Sequence, residues 1–425
     1  MEEIQCIRKF ILLSLFFFSY NITADHIFSP KGTQANKLAI FFDGTGQDED
    51  NYTNIQAIYH HTTLQKEGDI HTAYYAGLGT HQFSLLSEAL LGIGLSKNVK
   101  KSYLFLLNQH QADVGIFIFG FSRGAYQARV LSGLIHVMGF PEWLKELPID
   151  KQESIVNLAI ETFHGGQKAI NLREELSKKI NNHYPKIKRR ISKSDFSSIP
   201  IDFLGLFDTV SAFQGKSLFV EDTKEVDAHF YLQLCNIKHA AHAVSLDDTR
   251  PTFFSPLLLE SKHLLNDCPN HQPDIQEVFF SGGHSNIGGG IKRNYLSMIP
   301  LNWMLTELKP YNLVTVDHLY DPIRFEQVHT ERLKWMMPCY YKPRDIAKYK
   351  KNIKLHISVF IFLKHRFKAL KEAKEMETTE KKEEIIKENC EWLYKKNKFS
   401  DFLDACINNA NETSFKAITV IKNKQ

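Results

Sequence analysis

The chain has 425 residues, of which 43% are apolar, 24% are charged and 12% are aromatic. These proportions are close to those of globular proteins and exclude a disordered or fibrous chain. The formal charge of +4 is small for this length, so a nucleic-acid partner is not indicated. The six cysteines include no C-x-x-C pair, which argues against a zinc or thioredoxin-like redox site. We therefore expect no metal ion and no cofactor, and no protein partner can be read from the composition.

The N-terminus differs in character from the rest of the chain. Arg8 and Lys9 precede the dense apolar run Phe10–Phe18, and a small residue, Ala24, follows at a plausible cleavage point. A basic segment, a short apolar run and a small residue describe a secretory signal. We predict a signal peptide over residues 1–24 and an exported protein, either secreted or associated with the cell envelope. An uncleaved anchor and an ordinary buried segment are the alternatives.

Short apolar runs alternate with helical patterns in the next part of the chain. The runs that we predict to be buried strands are Lys37–Phe42, His71–Tyr75, Val114–Phe119, Ile201–Phe207 and Gln276–Phe280. Near-continuous apolar strands separated by helices predict an α/β fold, with a mostly parallel sheet covered by helices on both faces. In such sheets, ligands gather at the carboxyl ends of the strands. Those ends carry four polar residues: Asp43, Ser122, Asp208 and His284.

The segment from Gly120 to Gly124 matches the pattern G-x-S-x-G. A predicted buried strand precedes it and a predicted helix begins directly after it, which is the strand–turn–helix that a nucleophilic serine requires. Glycine at both outer positions relieves crowding in this tight turn. The Ser122 hydroxyl is then held near a helix N-terminus, whose dipole favours negative charge. We predict that Ser122 is the nucleophile; an ordinary strand-to-helix turn is the alternative.

A serine nucleophile needs a base, and the base needs a carboxylate that orients it. His284 directly follows a predicted strand and lies in a glycine-rich segment, so we predict that it is the base. His239 and His242 lie in a segment that reads as a helix face, and we interpret them as structural. Asp208 is the predicted acid, with Asp247 as second choice. The alternative for Asp208 is a residue that caps the following turn.

Two backbone N–H groups are expected to stabilise the oxyanion. One belongs to Arg123, directly after the nucleophile. The other is expected from Gly44 or Thr45, in the loop that follows the first predicted strand. Asp43 begins this loop, and we predict that it either braces the loop by accepting backbone hydrogen bonds or contacts substrate or a cation.

Two further regions have a helical pattern. Residues 141–200 form a polar insertion that becomes basic at Lys186–Arg190, and it is either a solvated helical face or a cap over the site that meets anionic head groups. Residues 301–425 are predicted to be a helical C-terminal region. The apolar run His356–Leu363 within it is interpreted as a helix packed on the main domain, with contact to a membrane surface as the alternative.

Five motifs occur in the order typical of one family: Phe41-Phe-Asp-Gly-Thr45, Phe119-Gly-Phe-Ser-Arg-Gly-Ala125, Phe203-Leu-Gly-Leu-Phe-Asp-Thr-Val210, His242-Ala-Val-Ser-Leu-Asp-Asp248 and Gly283-His-Ser-Asn-Ile-Gly-Gly-Gly290. They resemble the α/β-hydrolase domain of the type VI secretion lipase (phospholipase) effectors and their uncharacterised relatives. The resemblance covers about residues 37–290, and we expect the α/β-hydrolase domain to span residues 37–300. It also implies a serine esterase that uses Ser122, Asp208 and His284, with glycerophospholipids as substrates of some members.

The residues and the resemblance together predict a hydrolase that attacks carboxylic esters of lipids, with phospholipids as the expected substrate and an acyl-enzyme on Ser122. An esterase of small soluble esters is the alternative within enzymes. A catalytically silent hydrolase fold used for binding is the alternative from a different class.

Overall fold

The computed structural model describes residues 25–30, 34–44, 52–64, 70–77, 93–163, 168–187, 189–210, 233–246, 248, 258–259, 264, 273–290, 295–314, 353–356, 358–359 and 418–421. The statements below concern these residues. The predicted signal peptide over residues 1–24 lies outside them.

Nine described strands form one sheet. They are β1 (His26–Phe28), β2 (Lys37–Phe42), β3 (Ile70–Tyr75), β4 (Gly115–Phe121), β5 (Ile201–Phe207), β6 (Ile237–Ser245), β7 (Asp274–Phe280), β8 (Ile353–His356) and β9 (Ile418–Ile421). The order across the sheet is β1-β3-β2-β4-β5-β6-β7-β8-β9. Only the pairing of β1 with β3 is antiparallel among these strands. The predicted α/β fold class with a mostly parallel sheet is therefore confirmed.

Strand β6 corrects one prediction made from the sequence. The segment with His239 and His242 was predicted to be a helix face, but it pairs in parallel with both β5 and β7. Alanine is depleted in strands and common in helices, so local propensity favoured the wrong element. The position between two apolar strands decides the outcome, because a central strand satisfies its backbone hydrogen bonds with neighbours on both sides.

The described helices are α1 (Asn54–Thr63), α2 (Ile93–Gln109), α3 (Arg123–Met138), α4 (Glu142–Lys145), α5 (Ile149–Thr162), α6 (Ala169–His183), α7 (His284–Gly288) and α8 (Met298–Leu308). Single 3₁₀ turns lie at Lys193–Asp195, Tyr295–Ser297 and Lys309–Tyr311. Helix α1 begins with a capping box, in which the Thr53 hydroxyl accepts from the Gln56 N–H and the Gln56 side chain accepts from the Thr53 N–H.

The sheet buries a different apolar layer on each face, because alternate residues of a strand point to opposite sides. Leu38 and Ile40 pack in the layer that contains residues of α2 to α6. Ala39 and Phe41 pack in the opposite layer, with residues of α1 and α8. The second layer holds many of the phenylalanines: Phe41, Phe117, Phe119, Phe121, Phe203, Phe207 and Phe280. The high phenylalanine content therefore serves core packing at these positions.

The described part of the insertion at residues 141–200 is mainly helical and contacts the far end of α3. Arg173 of α6 donates from Nε to the Val137 carbonyl at 2.8 Å and from Nη2 to the His136 carbonyl at 2.7 Å. These carbonyls are at the C-terminal end of α3, whose 16 residues extend about 24 Å from the nucleophile turn. The apolar residues of the described insertion thus extend the helical layer beside α3.

The C-terminal region contains strands as well as helix. The helical interpretation of residues 301–425 is wrong for β8 and β9, which extend the sheet beyond β7. Leu355 and Val359 pack on Val244 and Phe279 in a small separate cluster. Most of the remainder of this region lies outside the described residues. None of the described helices has both the length and the hydropathy to cross a bilayer.

Candidate active site

The predicted site residues lie together at the carboxyl edge of the sheet. Ser122 follows β4, Asp208 follows β5 and Asp43 follows β2, while His284 lies four residues beyond the end of β7. The chain leaves β2 towards β3 on one side and returns to β4 on the other side. Ser122 and Asp43 thus flank the topological switch point, where open α/β sheets bind their ligands.

The turn at Ser122 has the geometry of a nucleophile elbow. Ser122 has φ 59° and ψ −124°, a conformation that non-glycine residues rarely adopt. A Cβ on Gly120 would lie 2.5 Å from the Ala125 Cα, and a Cβ on Gly124 would lie 2.4 Å from the Phe42 carbonyl oxygen. The two glycines are therefore required by the close approach of α3 to its neighbours. Strain of this kind is common at functional sites.

Ser122, His284 and Asp208 form a continuous hydrogen-bonded relay. The Ser122 Oγ is 2.7 Å from the His284 Nε2, and the His284 Nδ1 is 2.6 Å from the Asp208 Oδ2. All three residues are buried. The carboxylate holds the proton on Nδ1, which leaves Nε2 free to accept the serine proton. The arrangement can thus remove a proton from Ser122 and stabilise the imidazolium that results.

The acid is held in place by strand β6. The Asp208 N–H donates to the Ala243 carbonyl at 2.7 Å, and the Ser245 N–H donates to the Asp208 Oδ1 at 2.9 Å. Asp208 has φ 38°, so its backbone lies in the left-handed region. These contacts leave the Oδ2 oxygen directed at the imidazole.

A second carboxylate supports the base from its backbone side. The Asp248 Oδ2 accepts the His284 N–H at 3.1 Å, and the Asp248 N–H donates to the Ser245 Oγ at 3.2 Å. Asp248 was not among the predicted site residues, and its neighbour Asp247, the second choice for the acid, lies outside the described residues. Since the contact of Asp248 is with a backbone group, no spacing pattern could reveal it.

The predicted base lies at the start of a short helix. Within the glycine-rich segment, His284 is the first residue of α7. The Asn286 Oδ1 accepts the Gly283 N–H at 2.9 Å and fixes the entry to this helix. The ring of Phe121, next to the nucleophile, packs on the imidazole with centroids 4.8 Å apart. The imidazole is therefore restrained from both the helix and the elbow.

The predicted donors of the oxyanion hole differ in whether their N–H groups are already hydrogen-bonded. The Gly44 N–H donates to the Asp43 Oδ1 at 2.6 Å, so it is engaged and we do not assign it to the oxyanion hole. Thr45 lies outside the described residues. The Arg123 N–H is in the first turn of α3, where helix geometry provides no intrahelical acceptor. Of the predicted donors that are described, Arg123 is thus the one whose N–H remains suited to the role.

Asp43 anchors the loop that follows β2. Besides the Gly44 N–H, its carboxylate accepts the Thr53 hydroxyl at 2.7 Å and the Tyr74 hydroxyl at 2.6 Å. Burial raises the pKa of Asp43 to about 6, although the hydrogen bonds from Tyr74, Thr53 and Gly44 lower it. These contacts favour the bracing role over direct contact with substrate. Thr53 and Tyr74 were missed because their sequence positions carry no catalytic pattern.

The Arg123 side chain is an unusual charge beside the nucleophile. It is half-buried, and burial lowers the pKa of its guanidinium to about 10. Within the described part of the chain it has no ion pair. A charge in such a position is more stable when an anion neutralises it.

The site also contains a cluster with the composition of a metal site. Asp208, Asp248 and His284 each offer a ligand atom, and these atoms lie within 4.8 Å of one another. The Nδ1 of His284 and the Oδ2 of Asp208 are already hydrogen-bonded to each other, and an ion would have to break that contact. Because the donor atoms serve the relay, we assign the cluster to proton transfer.

A curated relative is an uncharacterized protein of Saccharomyces cerevisiae (YEL023C), 26% identical over 312 residues, which are 60% of this chain and 41% of the relative. The chain thus spans less than half the length of that relative.

Solved structures that match the chain are distant in sequence. An uncharacterized protein from Pseudomonas aeruginosa is 15% identical, covers 88% of this chain and 62% of its own, and has a TM-score of 0.36. A lipase/esterase from Lactobacillus plantarum is 12% identical, with 68% and 93% coverage and a TM-score of 0.34. An esterase from Thermogutta terrifontis is also 12% identical, with 69% and 91% coverage and a TM-score of 0.36.

A model of the family described as "T6SS, Phospholipase effector Tle1-like, catalytic domain" matches residues 36–307, which is more than half of the chain. The matched region begins at β2 and ends within α8, so it contains the strands that carry Ser122, Asp208 and His284. The chain therefore belongs to the family of Tle1-like phospholipase effector catalytic domains.

Proposed function

We propose that the protein is a serine hydrolase that cleaves carboxylic ester bonds of phospholipids through an acyl-enzyme on Ser122. The observation that carries this proposal is the position of the His284 imidazole, which lies within hydrogen-bonding distance of both the Ser122 hydroxyl and the Asp208 carboxylate. A serine at an elbow with such a relay is the arrangement used for acyl transfer on this fold.

The first half of the reaction forms the acyl-enzyme. The Ser122 Oγ attacks the ester carbonyl carbon while the His284 Nε2 accepts its proton. The carbonyl oxygen becomes an oxyanion, which the Arg123 N–H and the positive end of α3 stabilise. The C–O bond to the alcohol then breaks, and the imidazolium gives its proton to the departing alkoxide. Asp208 stabilises the imidazolium throughout this half.

The second half releases the acyl group. The His284 Nε2 takes a proton from water, whose oxygen attacks the acyl carbonyl. The tetrahedral intermediate collapses, the bond to the Ser122 Oγ breaks, and the serine recovers its proton from the imidazolium. The products are a fatty acid and a lysophospholipid, and the enzyme returns to its starting state.

Two features support a phospholipid over a neutral ester. The matching family is described by phospholipase effectors. In addition, the half-buried guanidinium of Arg123 has no ion pair in the described residues, and the phosphate of a head group would neutralise it. The alternative, an esterase of small soluble esters, is the outcome that a substrate comparison would favour if phospholipid turnover were absent.

The serine mechanism is tested by labelling and substitution. A fluorophosphonate probe is expected to label the native protein at Ser122 and to leave Ser122→Ala unlabelled. We expect Ser122→Ala and His284→Ala to lose at least about 10⁴-fold in kcat with the fold intact, and Asp208→Asn to lose on the order of 10⁴-fold. Circular dichroism checks the fold. Full turnover by Ser122→Ala would contradict the mechanism, and an unlabelled, inactive native protein would favour a binding role.

The substrate class is tested by lipid product analysis. Mass spectrometry of phospholipid vesicles treated with the native protein should show lysophospholipid and fatty acid, and Ser122→Ala should show neither. Arg123→Gln keeps the backbone N–H but removes the charge, so it should raise KM for phospholipid more than KM for a neutral soluble ester. Equal effects on both substrates would argue against a contact between Arg123 and phosphate.

Export is part of the same proposal. The predicted signal over residues 1–24 supports it, and Cys235 is disulfide-bonded, a state that persists in oxidising compartments. Contact with a membrane surface follows from the proposed substrate. Sequencing the N-terminus of protein recovered outside the cytoplasm should find residues 1–24 removed; an intact N-terminus on cytoplasmic protein would contradict export.

A further inference from the structure

A second imidazole–carboxylate pair lies behind the acid of the relay. His242 of β6 and Glu277 of β7 are register partners on neighbouring parallel strands, and neither side chain is exposed. The His242 Nδ1 is 3.0 Å from the Glu277 Oε2. The pair is not in the relay itself, because neither residue contacts Ser122 or His284 through any contact between described residues.

The contacts of the pair fix the state of the imidazole. The Thr209 backbone N–H donates to the His242 Nε2 at 3.1 Å, and the Thr209 hydroxyl lies at the same distance from this nitrogen. A backbone N–H can only donate, so Nε2 must be an acceptor and the ring proton must be on Nδ1. The Glu277 carboxylate accepts a hydrogen bond from this Nδ1–H and so holds the tautomer. It also accepts the Leu259 N–H at 2.6 Å, which ties the loop after β6 to the same carboxylate.

Thr209 directly follows the acid, so His242 acts on the acid turn. Strand β6 holds this turn at three points. Two use only β6 backbone groups, the Ala243 carbonyl with the Asp208 N–H and the Ser245 N–H with the Asp208 Oδ1. The third is the His242 imidazole with the Thr209 N–H. In this third contact a side chain of β6, and not its backbone, holds the turn. The left-handed backbone of Asp208 needs such restraint, because strained residues persist only where their surroundings over-determine them.

Packing alone does not explain a buried pair at this place. The next residues on the same face of the two strands are Val244 and Phe279, which form an ordinary apolar contact. Burying an imidazole and a carboxylate costs free energy that two apolar side chains would avoid. The pair therefore contributes what apolar side chains would not, a directed acceptor for the N–H group that follows Asp208.

We propose that His242 and Glu277 are positioning residues that hold the Asp208 carboxylate at the His284 Nδ1, an inference that rests on the proposed serine mechanism. Glu277 fixes the tautomer of His242, His242 fixes the Thr209 N–H, and the acid turn is thereby kept in register with the imidazole. A carboxylate thus sets the tautomer of an imidazole at two places: Asp208 does so for His284, and Glu277 does so for His242.

Two substitutions of His242 separate its two contacts. His242→Asn places an amide near Nδ1, so it can still bond to Glu277 but is too short to reach Thr209. His242→Gln places an amide near Nε2 and keeps an acceptor for the Thr209 N–H. On a soluble chromogenic ester we expect His242→Asn to lower kcat by about 10- to 100-fold with little change in KM, because a carboxylate shift near 1 Å has effects of that size. His242→Gln should retain most of kcat.

The hydrogen bond between His284 and Asp208 gives a second measurement that needs no turnover. Its proton should resonate far downfield in the proton NMR spectrum of the native protein and of His242→Gln, and be lost or broadened in His242→Asn. Val244→Ala is the matched control, since it removes buried volume from the next position on the same strand face. It should lower stability but keep both kcat and the downfield signal.

The outcomes separate this inference from the mechanism on which it rests. If His242→Asn keeps both kcat and the downfield signal, or if Val244→Ala loses both equally, the positioning role is overturned. If the native protein has no esterase turnover, the proposed function fails, and the downfield signal alone decides the role of the pair. Should the His242→Asn protein not fold, Glu277→Leu against Glu277→Gln makes the same comparison, because only the amide keeps an acceptor for the His242 Nδ1–H; equal signals in both would overturn the inference.

Discussion

Asp43 carries a buried charge whose cost depends on pH. Burial raises its pKa to about 6 from an ordinary value of 3.8, which corresponds to on the order of 3 kcal/mol. Because the folded pKa is above the unfolded pKa, the stabilising contribution is fully present below the unfolded value. It is lost as pH rises through about 6. Asp43→Asn removes this dependence while its amide keeps partners in Gly44, Thr53 and Tyr74.

We therefore expect the unfolding free energy of Asp43→Asn minus that of the native protein to rise by on the order of 3 kcal/mol between about pH 4 and about pH 7. Urea unfolding at several pH values measures it. Asp195→Asn is the control, for which the same difference in unfolding free energy should fall as pH rises. Burial raises the pKa of Asp195, but hydrogen bonds from Ser192 and Arg189 hold it below its ordinary value. A flat difference for Asp43→Asn would show that the carboxyl group stays protonated or is solvated.

The three predicted catalytic residues have a recognisable setting in the sequence, and the residues that contact them do not. Ser122 lies between two glycines that its turn requires, while Asp208 and His284 each follow an apolar run. Their local setting therefore predicts a site at one edge of a parallel sheet. Asp248 and His242 contact backbone N–H groups far away in the chain. Such contacts depend on three-dimensional position alone, and no residue spacing encodes them.

At the scale of elements, the elbow depends on how closely α3 approaches β2. A Cβ on Gly124 would lie 2.4 Å from the Phe42 carbonyl oxygen and 2.5 Å from the Asp43 carbonyl oxygen. Both are backbone atoms, so helix and strand must separate. We expect Gly124→Ala to lower the unfolding free energy by about 1–3 kcal/mol and to reduce kcat, as measured by urea unfolding and ester hydrolysis.

Gly283→Ala is the matched control for the elbow. Gly283 lies next to His284, but among the described residues its Cβ would meet only the Asn286 Oδ1, at 3.8 Å, and its φ of −81° suits any residue. We expect a change within about 0.5 kcal/mol. If both alanine variants behaved alike, proximity to the site would be the cause of the loss, and the close approach of α3 to β2 would not be.

The elements themselves were predictable where burial was uniform. Strands β2, β4 and β5 are apolar runs that end in polar residues, and their bounds agree with the sequence to within two residues. Strand β6 was misread because its alanines and histidines have no strand propensity, and only its place between β5 and β7 makes it a strand. Strand β8 has four residues, too few for a periodicity to emerge from a charged surrounding sequence.

At the scale of the whole molecule, the two faces of the sheet pack against different helices. The face with α2 to α6 takes up the helical insertion, which extends away from the nucleophile along α3. The other face is packed with phenylalanine rings beneath α1 and α8. The carboxyl edge of the sheet, where Ser122, Asp208 and His284 lie, is therefore the place at which the proposed mechanism requires substrate to bind.

The sheet extends past the region that matches the family. The family match ends at residue 307, whereas β8 pairs with β7, and Leu355 packs on Val244 and Phe279 with no exposed surface. Without this cover the β7 edge would present unpaired backbone groups beside apolar side chains, a condition that favours aggregation. The C-terminal strands thus act as structural cover for the β7 edge of the sheet.

Leu355→Ala tests whether the C-terminal strands affect stability without affecting turnover. Truncating a buried leucine is expected to lower the unfolding free energy by about 2–5 kcal/mol, while kcat on a soluble ester at low temperature stays near the native value. Ile149→Ala is the control, because Ile149 is 57% exposed and should change stability little. Thermal unfolding and ester hydrolysis measure the two effects. A loss of kcat in folded Leu355→Ala would mean that the C-terminal strands shape the site, since His242 lies on the strand that Leu355 helps to cover.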